Sequence, residues 1–153
     1  MTSLKDFSLE GKNAWVTGAT YGIGFNIAKA FHAAGIKNII FNDIDQEHVD
    51  RGLASYKEAG IENVHGYVCN VTDENAVEAL VKQIHEEVGQ IDILVNNAGI
   101  IKRIPMVEMS RKDFQQVIDI DLVGPFIVAK AVLPEMIERK EGKIINMCSM
   151  MSE

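Results

Sequence analysis

The sequence predicts an α/β fold in which helices cover both faces of one open parallel sheet. Two observations carry this prediction. Short apolar runs alternate along the chain with longer segments of helical period, and a glycine stands at nearly every change from one to the other. The runs are compact, as is typical of strands covered on both faces. Strands that alternate with helices form parallel βαβ units with right-handed crossovers.

The pattern predicts five strands and, between the first four, three helices. The strands are expected at residues 12–17, 38–42, 64–69, 91–96 and 143–148. Gly35, Gly60 and Gly89 each follow a helical segment, where a left-handed residue commonly ends a helix. Thr72 is the predicted N-cap of the third helix. Apolar residues at helical spacing mark the three helices: Ile23, Ile27, Phe31 and Ala34; then Val49, Leu53 and Tyr56; then Val77, Leu80, Val81, Ile84 and Val88.

The longest helical pattern begins after Ser110, which is expected to form a capping box with Asp113. A bend is expected near Gly124 and Pro125, because proline lacks the N–H that a helix interior needs. The predicted buried stripe consists of Phe114, Val117, Ile118, Leu122, Phe126, Ala129, Val132, Leu133, Met136 and Ile137.

Length and composition narrow the classes of function. The 153 residues suffice for one domain with a sizeable core and are too few for two. A net charge of −7 disfavours nucleic acid or an anionic membrane surface as the main partner. No apolar stretch nears the ~20 residues that span a bilayer, and residues 1–12 do not resemble a secretory signal. Two cysteines and four dispersed histidines indicate neither a disulfide framework nor a metal site, so we expect a cytoplasmic protein.

A glycine-rich segment joins the first strand to the first helix and reads TGATYGIG, residues 17–24. Glycines permit a tight turn and close approach of the backbone to a pyrophosphate, and the helix N-terminus offers free N–H groups. A purely structural turn is the alternative. The position of this glycine-rich segment between a strand and a helix favours a dinucleotide site and predicts a Rossmann-like sheet. The residues expected to bind there are Gly18, Thr20, Tyr21, Gly22, Ile23 and Gly24.

Asp43 ends the second strand, 19 residues after Gly24. A carboxylate there can accept hydrogen bonds from the ribose hydroxyls of an adenosine and repels a 2′-phosphate. No Arg or Lys is adjacent to Asp43 in the sequence, and Tyr21 stands where a basic residue would favour NADP. The sequence therefore favours NAD, with NADP as the alternative. The competing interpretation is an acid that only begins a turn.

Polar residues also follow the third and fourth strands. Asn70 and Val71 follow the third strand, and Asn97, Ala98 and Gly99 follow the fourth. Asparagine suits plain turns as well. Because ligands of open parallel sheets bind at the carboxyl ends of the strands, we expect all five residues to line one crevice with the glycine-rich turn.

The chain resembles the short-chain dehydrogenase/reductase family over essentially its whole length, in segments that occur in the family's order and spacing: TGATYGIG, Asp43, NVTD, NNAG and IINMCS. The resemblance implies hydride transfer between a nicotinamide and a carbonyl or alcohol carbon, and an assembly of identical chains, usually a tetramer. Four segments resemble the branch that interconverts gluconate and its 5-keto form, which implies a small sugar-acid substrate: FNDIDQE, NNAGIIKRIPM, VIDIDL and NMCSMMSE.

The resemblance also implies a catalytic serine and a helix asparagine. Ser149 matches the serine, whose hydroxyl would donate to a developing alkoxide. Asp121 stands at the asparagine position, on an apolar stripe where a carboxylate needs a partner. Either a bond to neighbouring backbone or a place in a proton relay would explain it. Arg103 follows NNAG and could hold a substrate carboxylate bidentately, unless it is a solvated surface arginine.

The family's Tyr-x-x-x-Lys pair is not found in the sequence. Tyr21, Tyr56 and Tyr67 are followed four residues later by Phe25, Gly60 and Val71. We therefore expect residues 1–153 to be the dinucleotide-binding portion of a single-domain dehydrogenase that lacks its C-terminal part and is inactive alone. Two other interpretations are open: a reductase of 3-oxoacyl thioesters, and a non-catalytic dinucleotide-binding module.

Overall fold

The computed structural model describes residues 7–148, in which five parallel strands form one sheet. The strands are β1 (Asn13–Thr17), β2 (Asn38–Asp43), β3 (Val64–Val68), β4 (Ile93–Asn96) and β5 (Lys143–Asn146). Their order is β3-β2-β1-β4-β5, so the chain runs outward from β1 to one edge and then crosses to the other side. The predicted doubly wound, Rossmann-like sheet is confirmed. The strand order reverses between β1 and β4, where such sheets hold their ligands.

Residues 7–148 contain five α-helices, of which α1, α2, α3 and α5 pack on the sheet: α1 (Gly22–Ala33), α2 (Gln46–Glu58), α3 (Glu74–Glu87), α4 (Arg111–Ile118) and α5 (Gly124–Arg139). On one face, α1 and α2 enclose a core that includes Phe41 and Tyr56. On the other face, α3 and α5 enclose a core that includes Trp15 and Val132. No helix within residues 7–148 is both long and apolar enough to cross a membrane.

The predicted helix ends agree with the backbone. Gly35, Gly60 and Gly89 have φ of +83°, +74° and +114°, the left-handed region that glycine enters without a Cβ clash. At the start of α4, the Asp113 N–H donates to Ser110 Oγ at 3.1 Å, so the predicted cap by Ser110 is confirmed.

The predicted N-cap of α3 is wrong by one residue. Asp73 is the cap, and its Oδ1 accepts from the Ala76 N–H at 3.1 Å. The Thr72 hydroxyl instead donates to Asn70 Oδ1 at 2.9 Å. Both residue types cap helices, and the neighbouring asparagine draws Thr72 out of that role.

The predicted buried stripe of the long helix is wrong in five positions. A π-helical turn, Asp119–Val123, separates α4 from α5, just before the expected bend. The wider turn rotates α5 relative to α4, so a single 3.6-residue stripe cannot run through both. In α5 the buried apolar side chains are Ile127, Val128, Val132 and Met136. The exposed members of the predicted stripe are Phe114, Leu122, Phe126, Leu133 and Ile137. In α1, Ile23 is likewise exposed, and Gly24 and Ala28 are the buried residues.

Candidate functional site

A cavity of about 360 Å³ opens at the carboxyl ends of the central strands. It lies where the strand order reverses, as expected for a ligand site in such a sheet. Segments that follow β1, β2, β3 and β4 all contribute to its wall. The sequence-predicted residues that line it are Gly18, Tyr21, Gly22, Ile23, Asp43, Asn70, Val71, Asn97, Ala98 and Gly99.

Thr17 and Asn97 connect the ends of β1 and β4 beneath this cavity. Thr17 Oγ1 accepts from the N–H groups of Asn97 and Ala98 at 3.0 and 2.9 Å. The Asn97 side chain donates from Nδ2 to the carbonyl oxygens of Thr17 and Gly18 at 2.9 and 3.1 Å. The start of the glycine-rich turn is therefore held against the segment after β4 by four hydrogen bonds.

Close contacts require glycine at two positions of the turn, Gly18 and Gly24. A Cβ on Gly18, whose φ is +62°, would lie 2.9 Å from Ala98 Cα. A Cβ on Gly24 would lie 2.5 Å from Asn97 Nδ2. By contrast, a Cβ on Gly22 would meet no atom within 4 Å, although its φ is +68°. The turn is thus packed tightly against the segment after β4 and open at Gly22, where the cavity lies.

The N-terminus of α1 faces this cavity without a side-chain cap. Tyr21 is its N-cap and accepts no N–H of the first turn through its side chain. The starts of α2, α3 and α4 are capped by Asp45, Asp73 and Ser110. The Thr20 hydroxyl is buried and has no hydrogen-bond partner within residues 7–148. Uncapped N–H groups and an unpaired hydroxyl beside glycines suit the oxygens of a phosphate group.

Two titratable side chains at the site, Tyr56 and Cys69, have raised pKa values. The buried Tyr56 hydroxyl donates to the Ala19 carbonyl oxygen at 2.8 Å, and burial raises the pKa of Tyr56 so that it remains a donor. Burial, with a smaller contribution from the Asp73 carboxylate, raises the pKa of the Cys69 thiol to about 11. Cys69 lines the cavity as a neutral thiol at physiological pH.

Asp43 presents a carboxylate to the cavity. One oxygen, Oδ1, accepts from the Ile44 N–H at 2.8 Å. Within residues 7–148, Oδ2 has no hydrogen-bond partner. This arrangement leaves acceptor capacity at the end of β2, where the sequence predicts contact with ribose hydroxyls.

Four predicted site residues that the structure describes do not line the cavity: Thr20, Gly24, Arg103 and Asp121. Asp121 is in the π-helical turn, and its Oδ1 accepts from the Ile100 N–H at 2.9 Å. The bond to neighbouring backbone, one of the two explanations left open for Asp121, is therefore present. Arg103 is exposed in the segment between β4 and α4 and does not line the cavity. Ser149 lies outside the described residues.

Sequence reasoning missed several residues that line the cavity: Asn42, Ile44, His48, Cys69, Ile100 and Ile120. Asn42 could not be recognised, because its role is internal: it accepts from the Trp15 indole N–H at 3.0 Å and donates to the Cys69 carbonyl oxygen at 2.9 Å. His48 gave a usable signal. It belongs to the first turn of α2, which begins soon after β2 and so lies at the same edge of the sheet.

A doubly wound parallel sheet with a glycine-rich turn at the reversal of strand order is typical of dinucleotide-binding α/β proteins. The particular family follows from comparison with known proteins. A family model described as short chain dehydrogenase matches residues 12–153, and the chain belongs to this family. Within residues 7–148, no group of three His, Cys, Asp or Glu side chains is placed to hold a metal ion.

Known relatives include enzymes named for sugar acids. A 2-dehydro-3-deoxy-D-gluconate 5-dehydrogenase of Formosa agariphila is 52% identical over 147 residues, which cover 96% of this chain and 55% of that protein. A solved 2-keto-3-deoxy-D-gluconate dehydrogenase of Streptococcus agalactiae is 66% identical, with a TM-score of 0.84 over 98% of this chain and 56% of that one.

A second solved structure is a gluconate 5-dehydrogenase of Burkholderia cenocepacia in complex with NADP and tartrate. It is 37% identical, with a TM-score of 0.88 over 98% of this chain and 58% of that one. The chain therefore spans a little over half the length of the relatives it matches.

Proposed function

We propose that this chain supplies the dinucleotide site of an oxidoreductase that acts on carbon 5 of a sugar acid. One observation carries the proposal: the glycine-rich turn, the uncapped start of α1 and the Asp43 carboxylate all border one cavity at the reversal of strand order. Family membership and the names of relatives supply the reaction class.

Each part of the cavity suits one part of a dinucleotide. The N–H groups at the start of α1 would bind the pyrophosphate, with Thr20 as a further donor. Asp43 would accept hydrogen bonds from the adenosine ribose. The nicotinamide would lie beside Asn97, Ala98 and Gly99. A bound nicotinamide supplies hydride exchange with the substrate.

NAD is the cofactor we propose for this site, with NADP as the alternative. The Asp43 carboxylate would repel a 2′-phosphate at the end of β2. The Burkholderia cenocepacia relative is named as a complex with NADP, which supports the alternative. Contact of the Asp43 carboxylate with the adenosine ribose would decide the preference.

The substrate we propose is gluconate and its 5-keto form. The name of the Burkholderia cenocepacia relative supports it. A second candidate, 2-keto-3-deoxygluconate, is favoured by the higher identity, 66%, of the relative named for that compound. Ser149 would donate a hydrogen bond to the reacting oxygen and Arg103 would bind the substrate carboxylate. Asp121 would position the segment that follows β4, through its bond to the Ile100 N–H.

Residues 1–153 alone do not provide the proton donor that the family resemblance implies, because the sequence contains no Tyr followed four residues later by Lys.

Assembly of identical chains, as a tetramer, is part of the proposal. Large apolar side chains that are exposed on α4, the π-helical turn and α5 support it, because exposed apolar area favours burial against a partner: Phe114, Leu122, Phe126, Leu133 and Ile137.

A steady-state assay of the intact protein tests the proposal. NADH or NADPH formation is measured with gluconate and with 2-keto-3-deoxygluconate, and a 3-oxoacyl thioester is offered in the reductive direction. We expect turnover of a sugar acid and none of the thioester. Turnover of the thioester alone would identify an acyl reductase. Dinucleotide binding without turnover of any of the three would identify a non-catalytic module.

A further inference from the structure

We propose that Lys102 is a positioning residue for the sugar-acid substrate. Its ion pair with Asp113 holds the segment after β4 in the arrangement that presents Arg103 to the substrate carboxylate. This inference rests on the proposed function, from which it takes the binding of that carboxylate by Arg103. It adds a residue that touches no substrate and acts through its neighbour in the sequence.

The segment between β4 and α4 is attached to the helices that follow it at two points. At its start, the Ile100 N–H donates to Asp121 Oδ1 in the π-helical turn at 2.9 Å. Further along, Lys102 Nζ donates to Asp113 Oδ1 in the first turn of α4 at 2.5 Å. Among residues 7–148, every other hydrogen bond of residues 101–109 joins two members of that stretch. Lys102 therefore ties this stretch to the rest of the described chain.

The carboxylate that receives Lys102 is itself fixed. Asp113 Oδ2 accepts from the Ser110 hydroxyl at 2.5 Å, and the Asp113 N–H donates to Ser110 Oγ at 3.1 Å. The side chains of Lys102 and Asp113 are only 24% and 32% exposed. The Lys102 ammonium, followed by the Ser110 hydroxyl, holds the pKa of the Asp113 carboxyl below its usual range. The pair is therefore charged at neutral pH and anchored to the start of α4.

Arg103 follows Lys102 directly and faces away from this anchor. Lys102 and Ile104 are half-buried, whereas Arg103 between them is exposed. Such alternation is typical of an extended stretch, in which neighbouring side chains face opposite sides. Within residues 7–148, the Arg103 guanidinium has neither a hydrogen bond nor an ion pair. The ion pair on one side of the segment thus leaves a guanidinium available on the other.

The same segment borders the cavity where it begins. Gly99 and Ile100 line the cavity, and Arg103 lies three residues beyond Ile100, which is at most about 10 Å of extended backbone. In a sugar acid that reacts at carbon 5, the carboxylate lies at the other end of the molecule from the reacting carbon. A guanidinium at this separation from the cavity suits that carboxylate, which it can hold bidentately.

The effect of the ion pair falls on substrate binding and not on the fold. An exposed or half-buried ion pair of this kind contributes little to global stability. Without it, residues 101–109 keep only local hydrogen bonds, and ordering them around a substrate costs conformational entropy. The dinucleotide end of the cavity is held separately, by the bonds between Thr17 and Asn97. Loss of the Lys102 charge should therefore weaken the substrate and spare the dinucleotide.

Steady-state kinetics of the intact protein test this role, with gluconate and 2-keto-3-deoxygluconate as substrates. The KM of the sugar acid, the KM of the dinucleotide and kcat are measured for wild type, Lys102→Met, Arg103→Met and the double variant. Methionine keeps an apolar stem without the charge, and Lys102→Arg restores a cation for Asp113. Lys130→Met is the matched control, because Lys130 pairs with Glu74 at the same distance of 2.5 Å, between α5 and α3.

We expect Arg103→Met to raise the KM of the sugar acid by about ten- to a hundredfold. Lys102→Met should raise it by about three- to tenfold, with kcat, the KM of the dinucleotide and the unfolding midpoint as in wild type. Lys102→Arg should recover most of the loss, and Lys130→Met should behave as wild type. In the Arg103→Met background, Lys102→Met should add nothing, since it acts through that guanidinium.

A wild-type KM in Lys102→Met, with the KM raised in Arg103→Met, would overturn the role of Lys102 and leave the proposed function intact. Additive effects in the double variant, or a dinucleotide KM that rises as much as that of the sugar acid, would also overturn it. An unchanged KM in Arg103→Met would remove the carboxylate contact and this inference with it. Turnover of no sugar acid by wild type would overturn the proposed function as well.

Discussion

Asn97 donates two hydrogen bonds to Thr17. The Asn97 N–H donates to Thr17 Oγ1 at 3.0 Å, and Asn97 Nδ2 donates to the Thr17 carbonyl oxygen at 2.9 Å. One residue ends β1 and the other follows β4, the two strands between which the order reverses. The hydroxyl and the amide thereby fix the distance between the glycine-rich turn and the opposite wall of the cavity.

Removal of the Thr17 hydroxyl should loosen both walls. Thr17→Val leaves the N–H groups of Asn97 and Ala98 without their acceptor, which should lower the free energy of unfolding by about 1–3 kcal/mol. Urea unfolding measures that change, and dinucleotide titration should show weaker binding. Thr17→Ser keeps the hydroxyl and serves as the control. Equal losses in both variants would contradict a role for the hydroxyl bonds.

Gly24→Ala should weaken dinucleotide binding. The new Cβ would lie 2.5 Å from Asn97 Nδ2 and displace that side chain from the turn. We expect affinity to fall about tenfold or more, since misplaced donors lose most of their bond energy. Gly60→Ala is the comparison: its φ is +74° with no atom within 4 Å of a Cβ. It should cost about 1–2 kcal/mol of stability and leave the affinity unchanged.

Asp43→Ser should change the preference between dinucleotides. Loss of the carboxylate removes a charged acceptor for the ribose and the repulsion of a 2′-phosphate. We expect NAD⁺ to bind about tenfold more weakly and NADP⁺ more tightly. Calorimetric titrations with NAD⁺ and with NADP⁺ measure both dissociation constants. Glu58→Gln removes a charge at the opposite end of α2 and should change neither affinity; an unchanged preference in Asp43→Ser would place the adenosine elsewhere.

Asp92 should matter for stability and not for binding. It is 3% exposed, accepts from the Asn13 N–H at 2.9 Å and pairs with Arg139 Nη1 at 3.0 Å. It precedes β4, at the amino ends of the strands, whereas the cavity lies at their carboxyl ends. Asp92→Ala leaves both donors unpaired and should cost roughly 3 kcal/mol of unfolding free energy.

The exposed pair of Lys12 and Glu141 gives the contrast to Asp92. Glu141→Gln should leave the unfolding midpoint nearly unchanged, because exposed ion pairs contribute little. Thermal unfolding of both variants checks this. Dinucleotide affinity is also measured in Asp92→Ala at a temperature where the protein is folded. A loss of affinity there would contradict the claim that Asp92 acts on stability alone.

Cys69 should resist alkylation in the folded protein. Only the thiolate reacts, and a pKa of about 11 leaves roughly one molecule in a thousand ionised at pH 8. Reactivity should rise with pH toward that value, whereas the thiol of the urea-unfolded chain should react readily at pH 8. Mass spectrometry after iodoacetamide treatment locates the modified residue. Rapid modification of Cys69 in the folded state at pH 8 would contradict its burial.

The sequence predicted the sheet and most of the cavity wall because both depend on local signals. Glycines after helices, a glycine-rich turn after β1 and polar residues at strand ends are visible one segment at a time. A parallel sheet then brings the strand ends together without further information. Asp43 and Asn97 were found in this way.

What the sequence did not predict depends on contacts between distant segments. The π-helical turn at Asp119–Val123 shifts the phase of the helix, and no single residue marks it. Thr72 and Asp73 are both good caps, and the Asn70 side chain decides between them. The guanidinium of Arg51 lies 5.4 Å from the centre of the Tyr21 ring, a contact between residues thirty positions apart that no local pattern indicates.

A crystal structure of the intact protein with NAD⁺ tests the central claim most directly. The account predicts the pyrophosphate against the N–H groups at the start of α1, and the adenosine ribose hydroxyls within hydrogen-bond distance of the Asp43 carboxylate. Density for the dinucleotide away from the turn of Gly18 to Gly24, or a ribose that does not contact Asp43, would contradict it.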